Sequence, residues 1–282
     1  MVKIYGIDFT SAPRRGKSIT CADCTYTDGL LIIHDCLTLT DFTQFERLLA
    51  LDGPWIAGLD FPFGQPARLI DSLGWGQTWA EYVAHIESLT LTGFDAALAA
   101  YRQRRPPGDK QHLRPVDVLA DARSPMMLYG VPVGRMFFQG APRLLKAGVS
   151  VLPCHPQHAD DRVVLETYPA LVARKWIGRE SYKSDNKKKR TEVQVVRRQQ
   201  LVEALQARSP QDYGIEVVID PLLVQALVDD PTGDQLDAVL CALQAAWAYT
   251  HADRDYGISP TCDPREGWIV DPALLMPSAA VK

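Results

Sequence analysis

In two short apolar segments of the chain, every second residue would lie on the same face of a strand. Both segments end in a similar sequence. Residues 2–9 end in Gly6-Ile7-Asp8-Phe9, and residues 55–61 end in Gly58-Leu59-Asp60-Phe61. A period of two is typical of a β-strand, in which alternate side chains share one face of a sheet. The pattern therefore predicts two buried strands, each of which presents an aspartate, Asp8 or Asp60, at its end.

The segment between these strands predicts a meander followed by a helix. Residues 18–27 and 30–39 are strand-like and are separated by Asp28-Gly29, a dipeptide that favours a tight hairpin turn. A helix with Asp41 as its N-cap follows. The order strand, strand, strand, helix, strand predicts a mixed sheet in which the strand of Asp60 lies parallel to the first strand.

Residues 62–160 interrupt this pattern with frequent proline, glycine, tryptophan and arginine. Helical spacing of apolar residues is found at 78–86 and 94–102. We interpret residues 62–160 as a helical, loop-rich cap that is inserted into a single domain covering residues 1–282.

The last part of the chain returns to regular patterns. Residues 162–167 predict a strand that carries a third strand-end carboxylate, Glu166, and Pro169 can start the helix that follows. Further elements are predicted as helices over residues 191–208, 221–228 and 234–250, and as a short strand over residues 268–270.

Asp234 and Asp237 lie three residues apart in the first turn of the predicted helix 234–250, so they share one helical face. Asp234 fits the role of a cap or of a partner for the helix dipole. Asp237 precedes the apolar run 238–243, which is expected to pack on the sheet, where an unpaired carboxylate is unfavourable. We therefore expect a metal or a hydrogen-bond donor to meet Asp237.

Carboxylates from three strand ends and one helix suggest a site for a hard cation. An isolated buried charge is costly, and oxygen ligands of this kind suit Mg²⁺ or Mn²⁺. Two such ions about 3.5 to 4 Å apart would stabilise both the attacking and the leaving oxygen in phosphodiester hydrolysis. The predicted catalytic residues are Asp8, Asp60, Glu166 and Asp237, and the predicted metal ligands are Asp8, Asp60, Asp234 and Asp237.

Structural roles remain open for two of these residues. Asp60, which precedes Phe61-Pro62, could close a turn, and Glu166 could form a salt bridge to an arginine such as Arg143 or Arg174.

Composition limits the class of protein. The chain has 282 residues, of which 46% are hydrophobic, and can bury a large core. No apolar run approaches the roughly 18 residues that a membrane span requires, and the amino terminus lacks a signal-peptide pattern. Six scattered cysteines suit buried thiols in a reducing compartment. We predict a cytoplasmic protein that does not contact a membrane.

The charge pattern gives a candidate nucleic-acid contact. The net charge is −4, but residues 174–198 contain ten lysines and arginines against three acidic residues. A basic loop within this segment would neutralise phosphates of DNA or RNA. The predicted contact residues are Lys183, Lys187, Lys188, Lys189 and Arg190.

The chain resembles domain-of-unknown-function family 429, whose members are described as predicted nucleases with an RNase H-like fold. The resemblance covers the chain from end to end and rests on the order of five motifs: Gly6-Ile7-Asp8, Gly58-Leu59-Asp60-Phe61-Pro62, Glu166-Thr167-Tyr168-Pro169-Ala170, Asp237-Ala238 with Cys241-Ala242, and Glu266-Gly267-Trp268-Ile269.

This resemblance implies an α/β fold with a mixed five-stranded sheet in the order 3-2-1-4-5, flanked by helices, in which the strands of Asp8 and Asp60 are neighbours. The wider RNase H-like superfamily places metal ligands on the first strand, the fourth strand and a C-terminal helix. Asp8, Asp60 and the pair Asp234 and Asp237 match those places, whereas Glu166 is an addition.

The sequence thus predicts a divalent-metal-dependent phosphodiester hydrolase that acts on nucleic acid. An alternative is an actin-like ATPase or a sugar-kinase-type phosphotransferase, because Thr10, Ser11 and Lys17 after Asp8 resemble the first phosphate loop of those enzymes. Those enzymes have a second sheet domain and glycine-rich adenosine loops. A third possibility is a noncatalytic binding module on the same fold.

Overall fold

The computed structural model describes residues 1–275, which form a seven-stranded mixed sheet with helices on both faces. The predicted domain limit at residue 282 lies outside the described residues. The order of strands across the sheet is β5-β6-β4-β1-β2-β3-β7. The strands are β1 (Val2–Asp8), β2 (Ile19–Thr27), β3 (Leu30–Leu39), β4 (Trp55–Leu59), β5 (Ser150–Leu152), β6 (Arg162–Glu166) and β7 (Glu216–Ile219).

The helices follow β3, β4, β6 and β7 along the chain. They are α1 (Phe42–Leu49), α2 (Ala67–Leu73), α3 (Trp79–Ser88), α4 (Leu91–Gln103), α5 (Pro115–Leu119), α6 (Val133–Ala147), α7 (Pro169–Ile177), α8 (Glu192–Tyr213), α9 (Pro221–Asp229) and α10 (Asp234–Tyr249). Short 3₁₀ turns follow at Lys187–Lys189, Ala252–Gly257 and Pro272–Leu274.

The core lies on both faces of the sheet. Ile4 of β1 packs with residues of α7, α8, α9 and α10 on one face. Ile7 of the same strand packs on the other face with residues of α1, α3, α4 and α6. Because both faces are covered, the central strands are apolar almost throughout.

The predicted order of the first four strands is confirmed. β1, β2 and β3 form an antiparallel meander, and β4 lies beside β1 and parallel to it. Asp28 and Gly29 both have positive φ, as a tight turn between two strands requires. Asp41 caps α1 by accepting a hydrogen bond of 2.9 Å from the backbone N–H of Gln44.

The predicted number of strands is wrong, because the sheet has seven strands rather than five. β5 extends the sheet beside β6, and β7 extends the opposite edge beside β3. With three and four residues, these strands are too short to give a clear period of two. The strand predicted over residues 268–270 is reduced to one isolated bridge between Ile269 and Glu166.

The helices α2 and α5 were not predicted, and two other departures, at α6 and α8, involve helices that contain proline. The prediction had no helix at α6, which includes Gly140 and Pro142, residues that usually interrupt helices. Gly140 is required by packing, because a Cβ at this position would lie 2.4 Å from the ring of Phe61. α8 continues through Pro210 to Tyr213, five residues beyond its predicted end.

Candidate carboxylate and lysine site

The two glycines of the repeated pattern let α10 pack directly on the sheet. Gly6 and Gly58 are register partners on β1 and β4. A Cβ at Gly6 would lie 1.9 Å from the carbonyl oxygen of Ala238, and a Cβ at Gly58 would lie 2.6 Å from that of Cys241. Neither position can hold a larger side chain without displacing the helix backbone.

This packing gathers the four predicted aspartates. Asp8 ends β1 and Asp60 directly follows β4, each two residues beyond a glycine that contacts α10. Asp234 and Asp237 lie in the first turn of α10. The partial positive charge of this helix terminus favours carboxylates nearby. The predicted convergence of the strand ends and the helix is therefore confirmed.

Two adjoining cavities open at the carboxylates. One, of about 330 Å³, is lined by Asp8, Asp60 and Asp234 together with Lys17. The other, of about 320 Å³, is lined by Asp60 and Asp237 and by an apolar wall. Asp60 and Lys183 line both cavities, so the two spaces share one acidic boundary.

Two of the aspartates are paired with cationic side chains. Lys183 donates to Asp237, which also accepts a hydrogen bond from the hydroxyl of Tyr182. The Nζ atom of Lys17 lies 3.6 Å from Asp234 and 3.1 Å from Asp185 at the rim. Although burial opposes the charge on Lys183, attraction by Asp237 raises the pKa of its ammonium group well above the ordinary value.

Asp8 and Asp60, in contrast, have no side-chain hydrogen bond or ion pair within residues 1–275, although Asp8 is only 8% exposed. Burial raises the pKa of Asp8 well above its ordinary value. The charge of Lys183 opposes this shift, and the neighbouring aspartates add to it. Burial and the charge of Asp237 likewise raise the pKa of Asp60 to about 7. The site therefore contains two carboxylates that the described protein leaves without a partner.

Glu166 lies beside this site but is fully engaged by the protein. Arg114 binds both oxygens of Glu166, at 2.5 and 2.8 Å, and the backbone N–H of Phe63 donates to it at 2.8 Å. Arg114 also binds Asp117. The alternative of a salt bridge to an arginine is thus correct in kind, although the partner is not Arg143 or Arg174. The catalytic role of Glu166 stays a prediction.

The predicted nucleic-acid contacts divide into two groups. Lys183 points into the carboxylate site. Lys187, Lys188 and Lys189 form an exposed 3₁₀ turn, and Arg190 is half-buried, with its Nε donating to Ser184. The same loop therefore contacts the acidic site at Lys183 and is exposed to solvent over residues 185–189.

Within residues 1–275, no group of three or more histidine, cysteine, aspartate or glutamate side chains is arranged to hold a metal ion. Sequence reasoning did not find Tyr182 or the inward position of Lys183. A pattern that includes a tyrosine and a lysine in an irregular loop gives no periodic signal, so only the folded loop reveals their contact with Asp237.

These features define an α/β protein with an acidic pocket at the ends of two neighbouring parallel strands. Lys183 lines this pocket and binds one of its aspartates. Residues 6–256 match the family "Protein of unknown function (DUF429)", so the chain belongs to this family, as its motifs predicted. No curated protein and no solved structure matches the chain. In the part of the chain that the structure describes, no helix combines the length and apolar character of a membrane span.

The partly buried position of Asp60 and its neighbouring carboxylates predict a pH-dependent loss of stability. Its pKa is raised in the folded protein, from 3.8 to about 7. The folded state therefore binds more protons than the unfolded state between these values, and the free energy of unfolding falls as the pH rises through this range. The penalty is largest above about pH 7, where Asp60 is ionised in both states.

We expect Asp60→Asn to remove this penalty. Between about pH 5 and pH 8, the stability advantage of the variant over the wild type should grow by on the order of 2 kcal/mol. Urea unfolding in EDTA at both pH values measures this difference. The exposed residue Asp52 provides a control, Asp52→Asn. An Asp60→Asn advantage that is independent of pH would contradict the prediction.

Proposed function

We propose that this protein is a divalent-metal-dependent phosphodiester hydrolase that acts on nucleic acid, with Mg²⁺ or Mn²⁺ as its cofactor. The observation that carries the proposal is Asp8, a carboxylate that is more than nine-tenths buried, lines a cavity and lacks a partner within residues 1–275. Asp60, on the neighbouring strand, lines the same cavity and lacks a side-chain partner as well.

The donor set fits a small hard cation. Mg²⁺ is usually held by one or two carboxylates and keeps several waters, so a site of fewer than three protein carboxylates is compatible with it. Asp8 and Asp60 would hold the ion. When bound, such an ion supplies Lewis-acid polarisation of a phosphoryl oxygen.

The chain's own residues would orient the substrate. Lys17 and Lys183 present ammonium groups to the cavity that Asp8 and Asp60 line, where they can bind phosphate oxygens. The ion pair of Arg114 and Glu166 forms part of the wall of the adjoining apolar cavity. A phosphate at the carboxylates would thus meet cations on one side and an apolar pocket on the other.

An RNase H-like fold is part of this proposal. It is supported by the five neighbouring strands β3-β2-β1-β4-β6, which agree with the order 3-2-1-4-5 if β6 is counted as the fifth strand. β5 and β7 are then additions at the two edges. A cytoplasmic location is also proposed, supported by the six cysteines, which are free thiols.

Cleavage assays test the function directly. The purified protein is incubated with single-stranded and double-stranded DNA and RNA oligonucleotides in Mg²⁺, Mn²⁺, Ca²⁺ or EDTA. We expect cleavage in Mg²⁺ or Mn²⁺ and none in EDTA. Intact substrates under all of these conditions would contradict the proposal, whereas ATP turnover with nucleotide-dependent thermal stabilisation would favour the phosphotransferase alternative. Residues 1–275 form one sheet and so do not favour that alternative.

The exposed basic turn predicts salt-dependent binding of nucleic acid. Lys187, Lys188 and Lys189 are exposed and lie a few residues from the carboxylate site. The slope of log K against log salt is negative. Replacing all three lysines with alanine should reduce its magnitude by about 2 to 3, since each neutralised phosphate contributes about 0.7 to 0.9.

Fluorescence anisotropy with a labelled oligonucleotide at several salt concentrations measures this slope. The matched control replaces the same three lysines with arginine, which keeps the charge and should keep the slope. An unchanged slope in the alanine variant would show that these lysines do not contact phosphates.

A further inference from the structure

The four aspartates of the site face two fixed cations. Asp8, Asp60, Asp234 and Asp237 carry four negative charges when ionised, and Lys17 and Lys183 carry two positive charges. Among the other charged residues that line the two cavities, Arg114 and Arg123 balance Asp117 and Glu166. Two negative charges remain, which is the charge that one divalent ion neutralises. Asp185 also contacts Lys17, but its side chain is 68% exposed and lies at the rim, where water screens it.

Lys183 is held in place by its backbone rather than by its side chain alone. Arg198 donates to the carbonyl of Tyr182 at 2.8 Å, and Gln194 donates to the carbonyl of Lys183 at 3.2 Å. The N–H of Ser184 donates to the carbonyl of Pro231 at 3.0 Å. The backbone of three consecutive residues, 182–184, is thus held by hydrogen bonds. These bonds fix the position from which the side chain of Lys183 extends to the carboxylates.

The approach of this loop to α10 depends on a glycine. Gly233 precedes the helix with φ of 69°, and a Cβ there would lie 2.9 Å from the Cβ of Lys183. The side chain of Lys183 therefore packs against the backbone of Gly233, directly before the first turn of α10. This is the turn that carries Asp234 and Asp237.

Asp237 is consequently satisfied without a metal ion. It is 1% exposed and accepts from both the hydroxyl of Tyr182 and the ammonium group of Lys183. Asp234 is matched by Lys17. Only Asp8 and Asp60, among the four, have no protein partner within the described residues.

From this division of partners, we propose that the site holds one divalent ion, bound by Asp8 and Asp60, and that Lys183 supplies the positive charge that a second ion would supply in a two-metal site. Asp237 and Tyr182 are then positioning residues for Lys183 rather than metal ligands. This inference rests on the proposed metal-dependent function. It differs from the expectation of two bound ions, because Lys183 takes the place of the second ion.

Counting bound Mn²⁺ tests the proposal without any substrate. Isothermal titration calorimetry and the electron paramagnetic resonance signal of free Mn²⁺ give the number of ions and their Kd. We expect one ion in the wild type. The double variant Lys183→Met with Asp237→Asn removes an ion pair that is neutral as a whole, so it should still bind one ion, with a Kd changed by less than about threefold.

The single variant Lys183→Met removes the cation beside Asp237 and leaves it with the hydroxyl of Tyr182 as its side-chain donor. We expect it to bind a second ion or to bind Mn²⁺ about tenfold more tightly, because a positive charge beside the ion is lost. Lys146→Met, at a side chain that is 67% exposed and lines neither cavity, is the matched control and should behave as the wild type. Thermal unfolding in EDTA verifies that each variant is folded.

The possible outcomes separate this inference from the proposed function. Two ions in the wild type, or loss of the ion in the folded double variant, would overturn the inference but leave metal-dependent hydrolysis standing. An unchanged count and Kd in Lys183→Met would also overturn it. A wild type that binds no Mn²⁺ at millimolar concentration would overturn both.

Discussion

Asp8→Asn is expected to lower Mg²⁺-dependent or Mn²⁺-dependent cleavage of nucleic acid by at least about 100-fold without unfolding the protein. Asparagine has nearly the same shape as aspartate but lacks the negative charge that holds a cation. Asp8 makes no hydrogen bond or ion pair with another side chain in residues 1–275, so the substitution breaks no such contact. Initial rates of cleavage at saturating metal measure the effect.

The stability of the same variant distinguishes loss of function from loss of fold. Burial and neighbouring carboxylates raise the pKa of Asp8, so removing its charge should leave the melting temperature in EDTA unchanged or raise it. Asp253→Asn, at an exposed position, is the control and should cleave normally. Full activity in a folded Asp8→Asn variant would remove Asp8 from the mechanism and, with it, the main support for the proposed function.

The positions of the carboxylates could be predicted because they depend on local patterns. A period of two predicted that Gly6 and Asp8 share one face of the first strand. It likewise predicted that Gly58 and Asp60 share one face of the other strand. The structure adds the reason for the glycines, since α10 lies against both of them. A helix that packs this closely must present its first turn at the ends of these strands, and there Asp234 and Asp237 meet the strand-end aspartates.

The partners of these carboxylates could not be predicted, because they come from irregular segments. Arg114 precedes the short helix α5, and Lys183 lies in a loop after α7. Neither segment has a periodicity that fixes its path. The sequence therefore did not identify Arg114 as the partner of Glu166, and it assigned Lys183 to a nucleic-acid contact although its side chain binds Asp237. The same limit explains β5 and β7, whose places depend on pairing with β6 and β3.

Arg114→Met is expected to cost about 3 to 5 kcal/mol of unfolding free energy, the loss typical of breaking a buried ion pair. Arg114 is 1% exposed and binds Glu166 and Asp117, which are 2% and 1% exposed. It also donates to the carbonyl oxygen of Glu266 at 2.7 Å. Removing the guanidinium group leaves two buried carboxylates without their cation. Urea unfolding near neutral pH measures the loss.

Two further variants show whether the loss arises from the uncompensated carboxylates. In the double variant Arg114→Met with Glu166→Gln, one of the two buried charges is neutralised, so part of the lost stability should return. Arg179→Met removes an ion pair to Asp121 in which the arginine side chain is 79% exposed, and it should cost less than about 1 kcal/mol. If Arg114→Met were as mild as Arg179→Met, the ion pairs of Arg114 with Glu166 and Asp117 would contribute little to stability, and this prediction would be wrong.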